Sequence, residues 1–466
     1  MKKYNLLLLT LLVGITIWWL PTPQGLSKQA WQLFAIFVAT IFGMIAKPMP
    51  MGAVAFTGLA AVVLTKTLSF EMAFSGFSND SIWLIVFAFF IARGFVKTGL
   101  GMRLSYFFIL ILGKSSLGLG YGIVASDLML APAIPSSTAR TGGVLLPIIE
   151  ALAKAYQSEP YDKSAAYMGT YLIKVAMQSS CVTSAMFLTA MSANPLIVDI
   201  AADFGVEITW GSWALAAIVP GLISCLIIPY FMYIFYPPTI KNSPNAPNLA
   251  RKHLQKMGNI TRNEWIMLIV FALLIFLWMF AKDLGILPAV SAMVGLILLL
   301  ITNVLTWEDI RKEEGAWETL IWFAILLMMA TQLNKLGFTV WFSEVLVDQV
   351  QGFDWTVGFF ILSLTYLYSH YFFAGNLPHV GAMYAMFLSV AIGLGTPPAL
   401  AALVLGFFSS LFSGLTQYSC GPAAILFGAG YVKIGIWWKV GFIMSVINVI
   451  IWLGIGSIWW KILGIF

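Results

Sequence analysis

The residues of this chain that can do chemistry gather in a few short stretches. "PSSTARTGGVLLP" (135–147) sets Ser136, Ser137, Thr138 and Arg140 beside two glycines, between long apolar runs. "AGNLPHVGAMYAM" (374–386) holds Gly375, Asn376, Leu377 and His379 in a similar frame. At an offset of 239 the two align, with Arg140 on His379 and Gly142 on Gly381. Two more stretches, "TAMSANPL" (189–196) and "TQYSCGPA" (416–423), share Thr-x-x-Ser-x-(Asn/Gly)-Pro at an offset of 227. Hydroxyls and amides at a helix start, next to unpaired backbone N–H groups, suit an anion such as a carboxylate. A proline inside an apolar run removes a helical hydrogen bond and disfavours helix for the residue before it. The chemistry on offer is therefore anion binding at interrupted helices.

The elements that must position these stretches lie in a membrane. Of 466 residues, 60% are hydrophobic and 9% charged, with a mean hydropathy of +0.92. A soluble domain carries about 25% charged residues, so this chain is read as an all-α integral membrane protein in contact with a lipid bilayer. Apolar segments near 4–20, 31–47, 50–66, 82–97, 164–190, 210–236, 264–281, 286–305, 317–333, 355–373, 397–418 and 436–462 suit membrane helices. Stretches 101–113 and 339–350 read as interfacial helices. The formal net charge of +6 is no nucleic-acid footprint, because its informative part is one loop. Residues 237–263 carry Lys241, Arg251, Lys252, Lys256 and Arg262 without an acid, which marks a cytoplasmic linker, as Lys2 and Lys3 mark a cytoplasmic N-terminus.

That linker also divides two similar halves. "FVKTGLG" (95–101) resembles "LNKLGFT" (333–339), and "LSFEMA" (68–73) resembles "LTWEDI" (305–310), at offsets of 238 and 237. With the two matches above, this predicts a first helix and connector (1–29), a repeat over 30–236, the linker, and a second repeat over 264–466. Five crossings per repeat would invert the second relative to the first, giving about eleven spans and an external C-terminus. Re-entrant hairpins are expected over about 120–156 and 357–393, because non-helical backbone at membrane depth must line a polar space. Paired broken helices in inverted repeats point to a transporter's binding site.

These features resemble the divalent anion/sodium symporter family, the INDY-type di- and tricarboxylate carriers. "PSSTAR" and "HYFFAGNLPH" (370–379) are most similar to its 2-oxoglutarate/malate and citrate/succinate translocator branch. The resemblance implies scaffold and transport domains, a homodimer, an elevator motion, and the inner (plasma) membrane of a bacterium. It implies substrate contacts at Ser136, Ser137 and Thr138, and at Gly375, Asn376 and Leu377. The broken-helix contacts map onto Thr189, Ser192, Ala193, Asn194 and Pro195, and onto Thr416, Ser419, Gly421 and Pro422. Sodium-coupled members hold Na⁺ at the tips through oxygens. Gly375 and Leu377 have no side-chain oxygen, so no second ion is expected, while a sodium ion at the first tip stays open. Arg140 and His379 are expected instead as fixed counter-charges for a dianion, which favours anion exchange; the alternative is a sodium-coupled dicarboxylate symporter. For Arg140 the competing reading is an ion pair with Asp127, and for His379 a neutral capping role. No catalytic residue, metal cluster or cofactor is expected, since no nucleophile–base pair is present and His370 and His379 are poorly spaced for a metal. Lys174 is read as snorkelling near a helix end, and Asp199 and Asp203 as lying in an exposed loop.

Overall fold

A computed structural model describes residues 2–347 and 354–466; the last positions of the expected 339–350 helix lie outside them. All regular elements among the described residues are helical. Their ends carry ordinary stop and start signals. Ser27 and Asn79 accept the backbone N–H of Ala30 and Ile82 at 3.1 Å each, opening helices Lys28–Ala46 and Asp80–Thr98. Thr261 and Glu264 form a reciprocal capping box at the head of Arg262–Met279.

Among the described residues, six helices are long and apolar enough to cross a membrane: Lys28–Ala46, Asp80–Thr98, Trp210–Phe235, Arg262–Met279, Glu314–Lys335 and Ile434–Ile462. Shorter apolar helices, among them Met51–Leu64 and Pro288–Ile301, fill the places between them. Their outer faces are apolar, with Leu64 at 81% and Ile301 at 72% exposure, a surface suited to lipid rather than water. Gly169–Met186 is the opposite. It buries Lys174, Gln178, Ser179, Ser180, Thr183 and Ser184, so the polar groups of this molecule lie along its centre.

The order of elements recurs. Helix Ser116–Leu130, the short helix Ser137–Arg140, the π turn Thr141–Leu145 and helix Leu146–Ala155 follow one another. Trp355–Ser369, Asn376–His379, the π turn Val380–Tyr384 and Ala385–Gly393 begin 239 residues after them, each in the same order. A π turn opens the helical ladder by one residue and concentrates at functional sites. Its appearance at the same step of both series places the two segments singled out above, 135–147 and 374–386, in equivalent surroundings.

Two expectations are corrected. The helix interruptions do not sit at the prolines: the chain leaves α-helix over 187–192 and again after Leu411, each time through a 3-10 turn (Leu188–Ala190 and Phe412–Gly414), and Pro195 and Pro422 lie in the first turn of the helices that resume, Ala193–Asp203 and Gly421–Gly428. Proline is favoured there because the first-turn N–H groups have no helical partner to lose. Asp199 and Asp203 are on that resumed helix rather than in a loop, and Asp199 accepts the Ser81 hydroxyl at 2.6 Å.

Candidate functional site

Each tip closes on the interrupted helix of the other half. Ser137–Arg140 packs on Gly421–Gly428, and a methyl built on Gly421 would overlap Thr138 Oγ1. On the other side, Asn376 Nδ2 donates to Ser413 Oγ at 2.7 Å and touches Met191 Sδ at 2.9 Å. Met191 belongs to the first interruption. Ser136, Ser137, Thr138, Ser192, Gly375, Asn376 and Leu377 are all half-buried, so the two tips are reachable from outside the packed interior. Gly375 has φ +131°, a conformation that a side chain would strain, which accounts for glycine where the first tip has Ser136.

The polar groups divide into those already used and those left free. Ser136 Oγ accepts the Ala139 N–H at 3.1 Å, capping the first tip. Thr189 donates to the Pro132 carbonyl at 2.9 Å and accepts from Trp210 Nε1. Asn194 Nδ2 holds the carbonyls of Ser184 and Phe187 at 2.9 and 3.0 Å. The Ser419 hydroxyl donates to the Ser413 and Thr416 carbonyls. Thr189, Asn194 and Ser419 are therefore buried and spent on fixing the interruptions, satisfying carbonyls that the broken helices leave without partners. Thr416 Oγ1 and Asn376 Oδ1 are buried without a partner. Together with Ser137, Thr138 and Ser192, they are the polar groups available for a small polar ligand.

Arg140 is fully buried, and so is the acid it pairs with. Its Nε lies 2.6 Å from Asp127 Oδ1. Its Nη1 donates to the Ile134 and Ala190 carbonyls at 3.0 and 3.1 Å, and Nη2 to Ser184 Oγ at 2.9 Å. Thr183 donates to the second Asp127 oxygen. The expectation of a free counter-charge at Arg140 is corrected accordingly: a desolvated guanidinium is held by a partner carboxylate, and here that partner is internal. Arg140 ties the helix before the tip, the tip itself, the central helix and the first interruption into one unit.

Among the described residues, the equivalent place in the second half has no ion pair. His379 stands where Arg140 does, and Tyr366 stands where Asp127 does. His379 Nδ1 lies 2.9 Å from His370 Nδ1, and His370 Nε2 lies 3.0 Å from the Ser419 carbonyl. Sequence spacing alone did not bring His370 into the site. The signal for it was the hidden geometry of a three-residue turn, His370–Phe372, that folds the ring back over His379.

The whole chain, residues 1–466, matches the family model described as the sodium:sulfate symporter transmembrane region. The Bacillus subtilis (strain 168) protein named "Putative malate transporter YflS" is 52% identical over 460 residues, covering 98% of this chain and 96% of that one. Dicarboxylate transporter 1, chloroplastic, of Spinacia oleracea is 51% identical over 462 residues, covering 98% of this chain and 81% of that one. Among solved structures, the YdaH transporter of Alcanivorax borkumensis shares the fold, with a TM-score of 0.58 at 12% identity over 99% of this chain and 97% of that one.

Proposed function

The chain belongs to the family of the sodium:sulfate symporter transmembrane region, a family of multi-pass membrane transporters, and from that premise we propose that it exchanges one dicarboxylate anion for another without sodium. The substrate class rests on relatives at 52% and 51% identity named for malate and dicarboxylate transport. The observation that carries the site is the crossed closure of the tips, Thr138 against Gly421 and Asn376 against Met191 and Ser413. A dicarboxylate held between the tips takes one carboxylate on the hydroxyls of Ser137 and Thr138 and the N–H groups of that helix start. The other carboxylate takes the Thr416 hydroxyl and the backbone around Gly375–Leu377.

Sodium independence is argued from the second tip. Neither Gly375 nor Leu377 supplies a side-chain oxygen, which leaves Asn376 Oδ1 as the single side-chain oxygen of these three positions. A hard cation needs several oxygens at once. Arg140 enters as the anchor of the first tip, its charge balanced by Asp127, and the role of counter-charge falls to His379. Inverted repeats, re-entrant tips, an elevator motion in a homodimer, and a bacterial inner membrane with the N-terminus inside complete the reading.

The test is counterflow into liposomes. Labelled malate should enter vesicles preloaded with malate and not empty ones, at the same rate with or without a sodium gradient. Sodium-driven entry into empty vesicles would establish the symport reading instead.

A further inference from the structure

The two buried histidines of the second tip form a chain whose hydrogens can be counted. His370 Nε2 faces a carbonyl, Ser419 O, at 3.0 Å and must carry a hydrogen. In the neutral ring Nδ1 then accepts, so the hydrogen in the 2.9 Å contact belongs to His379 Nδ1. That leaves His379 Nε2, 3.1 Å from Ser369 Oγ. The Ser369 hydroxyl has a second possible acceptor, the Tyr366 carbonyl at 2.9 Å. If Ser369 donates to His379, every group is matched and both rings are neutral. If Ser369 turns to Tyr366, its oxygen accepts from a proton on His379 Nε2, and every group is matched again. The chain is satisfied with or without one added proton, and rotation of one hydroxyl separates the two forms.

Burial costs the charged ring its hydration, and the aromatic surroundings offset part of that cost. The His379 ring lies between aromatic faces, with centroids of Phe373, Phe412 and Tyr366 at 4.5, 4.6 and 4.8 Å. Such faces attract a desolvated cation. The titratable groups on the elements packed around the pair are Tyr366, Tyr368, Tyr371, Tyr384, Tyr418, Cys420, Asp199 and Asp203, with Lys28, Glu314, Glu318 and Lys335 near the ends of the two neighbouring long helices. Tyr366 is bonded to Ser409 Oγ, Tyr384 to the Ala402 carbonyl and Tyr418 to the Tyr371 carbonyl. Cys420 accepts the Ala423 N–H, and Asp199 on the neighbouring Ala193–Asp203 helix accepts from Ser81. Among the described residues no Lys, Arg, Asp or Glu pairs with either histidine. The charge of this tip is thus set by a single proton, whereas that of the first is cancelled by Asp127.

We propose that His379 Nε2 is a proton-binding site, with His370 as its fixed acceptor and Ser369 as its switchable one, and that a dicarboxylate bound at the tips loads it with one proton. The proposal rests on the dicarboxylate reading above. His379 sits one helical turn behind Asn376, so an anion at the tip favours the protonated ring. By linkage the protonated ring favours the anion equally. A dianion would then cross with one of its charges offset, and equal exchange would move no net proton.

The experiment is calorimetric titration of malate into the purified full-length transporter, in two buffers of different ionisation heat, from about pH 8.5 to about pH 6 around the ordinary histidine range. The expected result is uptake of up to one proton per malate, largest where the bound form holds the proton and the free form does not, and falling away outside that range. His379→Gln should abolish the uptake. Ser369→Ala removes the acceptor of the protonated form and should shift the uptake to lower pH, a result that stands even if His379→Gln does not fold. Binding of malate without proton uptake in the wild type overturns this proposal and leaves the dicarboxylate reading standing. Undiminished uptake in His379→Gln, or an unshifted profile in Ser369→Ala, also overturns it, since the proton would then reside on the substrate or another acid. Absence of malate binding to the wild type overturns the dicarboxylate reading, and this proposal with it.

Discussion

Arg140 and Asp127 are both fully buried and 2.6 Å apart, so neither can be altered alone without stranding the other. Removing one partner of such a pair costs about 3–5 kcal/mol. Arg140→Ala and Asp127→Asn should each lower the melting temperature markedly, and the double variant Asp127→Asn/Arg140→Gln by less than the sum, as read by tryptophan fluorescence. The same double variant separates an anchor from a counter-charge. As an anchor, the neutral pair retains malate exchange; loss of exchange in a well-folded double variant would return Arg140 to the role of counter-charge. Gly421 gives a second residue-scale prediction. Gly421→Ala drives a methyl into Thr138, whereas Gly428→Ala on the same helix meets open space. Overpacking costs about 1–3 kcal/mol, so exchange should fall by roughly 5- to 150-fold in the first variant and stay near wild type in the second.

At the scale of elements, the basic linker is more than a charged loop. Its helix Ala246–Met257 lies on Leu100–Leu112, with His253 stacked on Tyr106 at 4.5 Å. Arg103 donates to the carbonyl of Gly258 at 2.9 Å and to both oxygens of Glu264, which is itself buried in the cap of the next helix. One guanidinium thus joins the end of the linker to the start of the second half. Arg103→Lys keeps the charge and loses the planar fork, so it should recover only part of the stability lost in Arg103→Ala. Limited proteolysis near 257–260 would report the loosened linker. Such contacts were not legible in the sequence, because they join residues about 160 positions apart whose types alone name no partner. Helix positions were legible, since apolar runs and caps are local. The paired tips could be read because their residue types recur at a fixed offset. The free or spent state of Thr189, Asn194 and Ser419 could not, because it depends on which carbonyls the interruptions expose. Lys174, read from sequence as snorkelling near a helix end, is instead buried with its Nζ 4.2 Å over the Tyr236 ring, for the same reason: the ring that receives it is distant in the chain.

At the scale of the whole molecule, the recurrence of four consecutive elements at one offset bears on how the chain threads the bilayer. Two halves with the same element order can sit parallel or inverted, and the choice turns on the parity of crossings in each. With the first helix counted as one further crossing, an even number per half would put the linker and the C-terminus together on the side opposite the N-terminus. An odd number leaves the basic linker on the N-terminal side and sends the C-terminus across. On the proposed reading, the five cations between 237 and 263, with no acid among them, put the linker in the cytoplasm. Inversion therefore predicts that a phosphatase fused after Phe466 is active in the external compartment, while one inserted at 244–245 is not. A fluorescent reporter that matures only in the cytoplasm should give the opposite pattern at both sites. It also predicts that an impermeant thiol reagent reaches Ser137→Cys and Asn376→Cys from opposite faces, because inversion turns the crossed tips towards opposite openings. Labelling of both from one face, with a cytoplasmic C-terminus, would mean parallel halves, and the proposed elevator motion would lose the symmetry on which it depends.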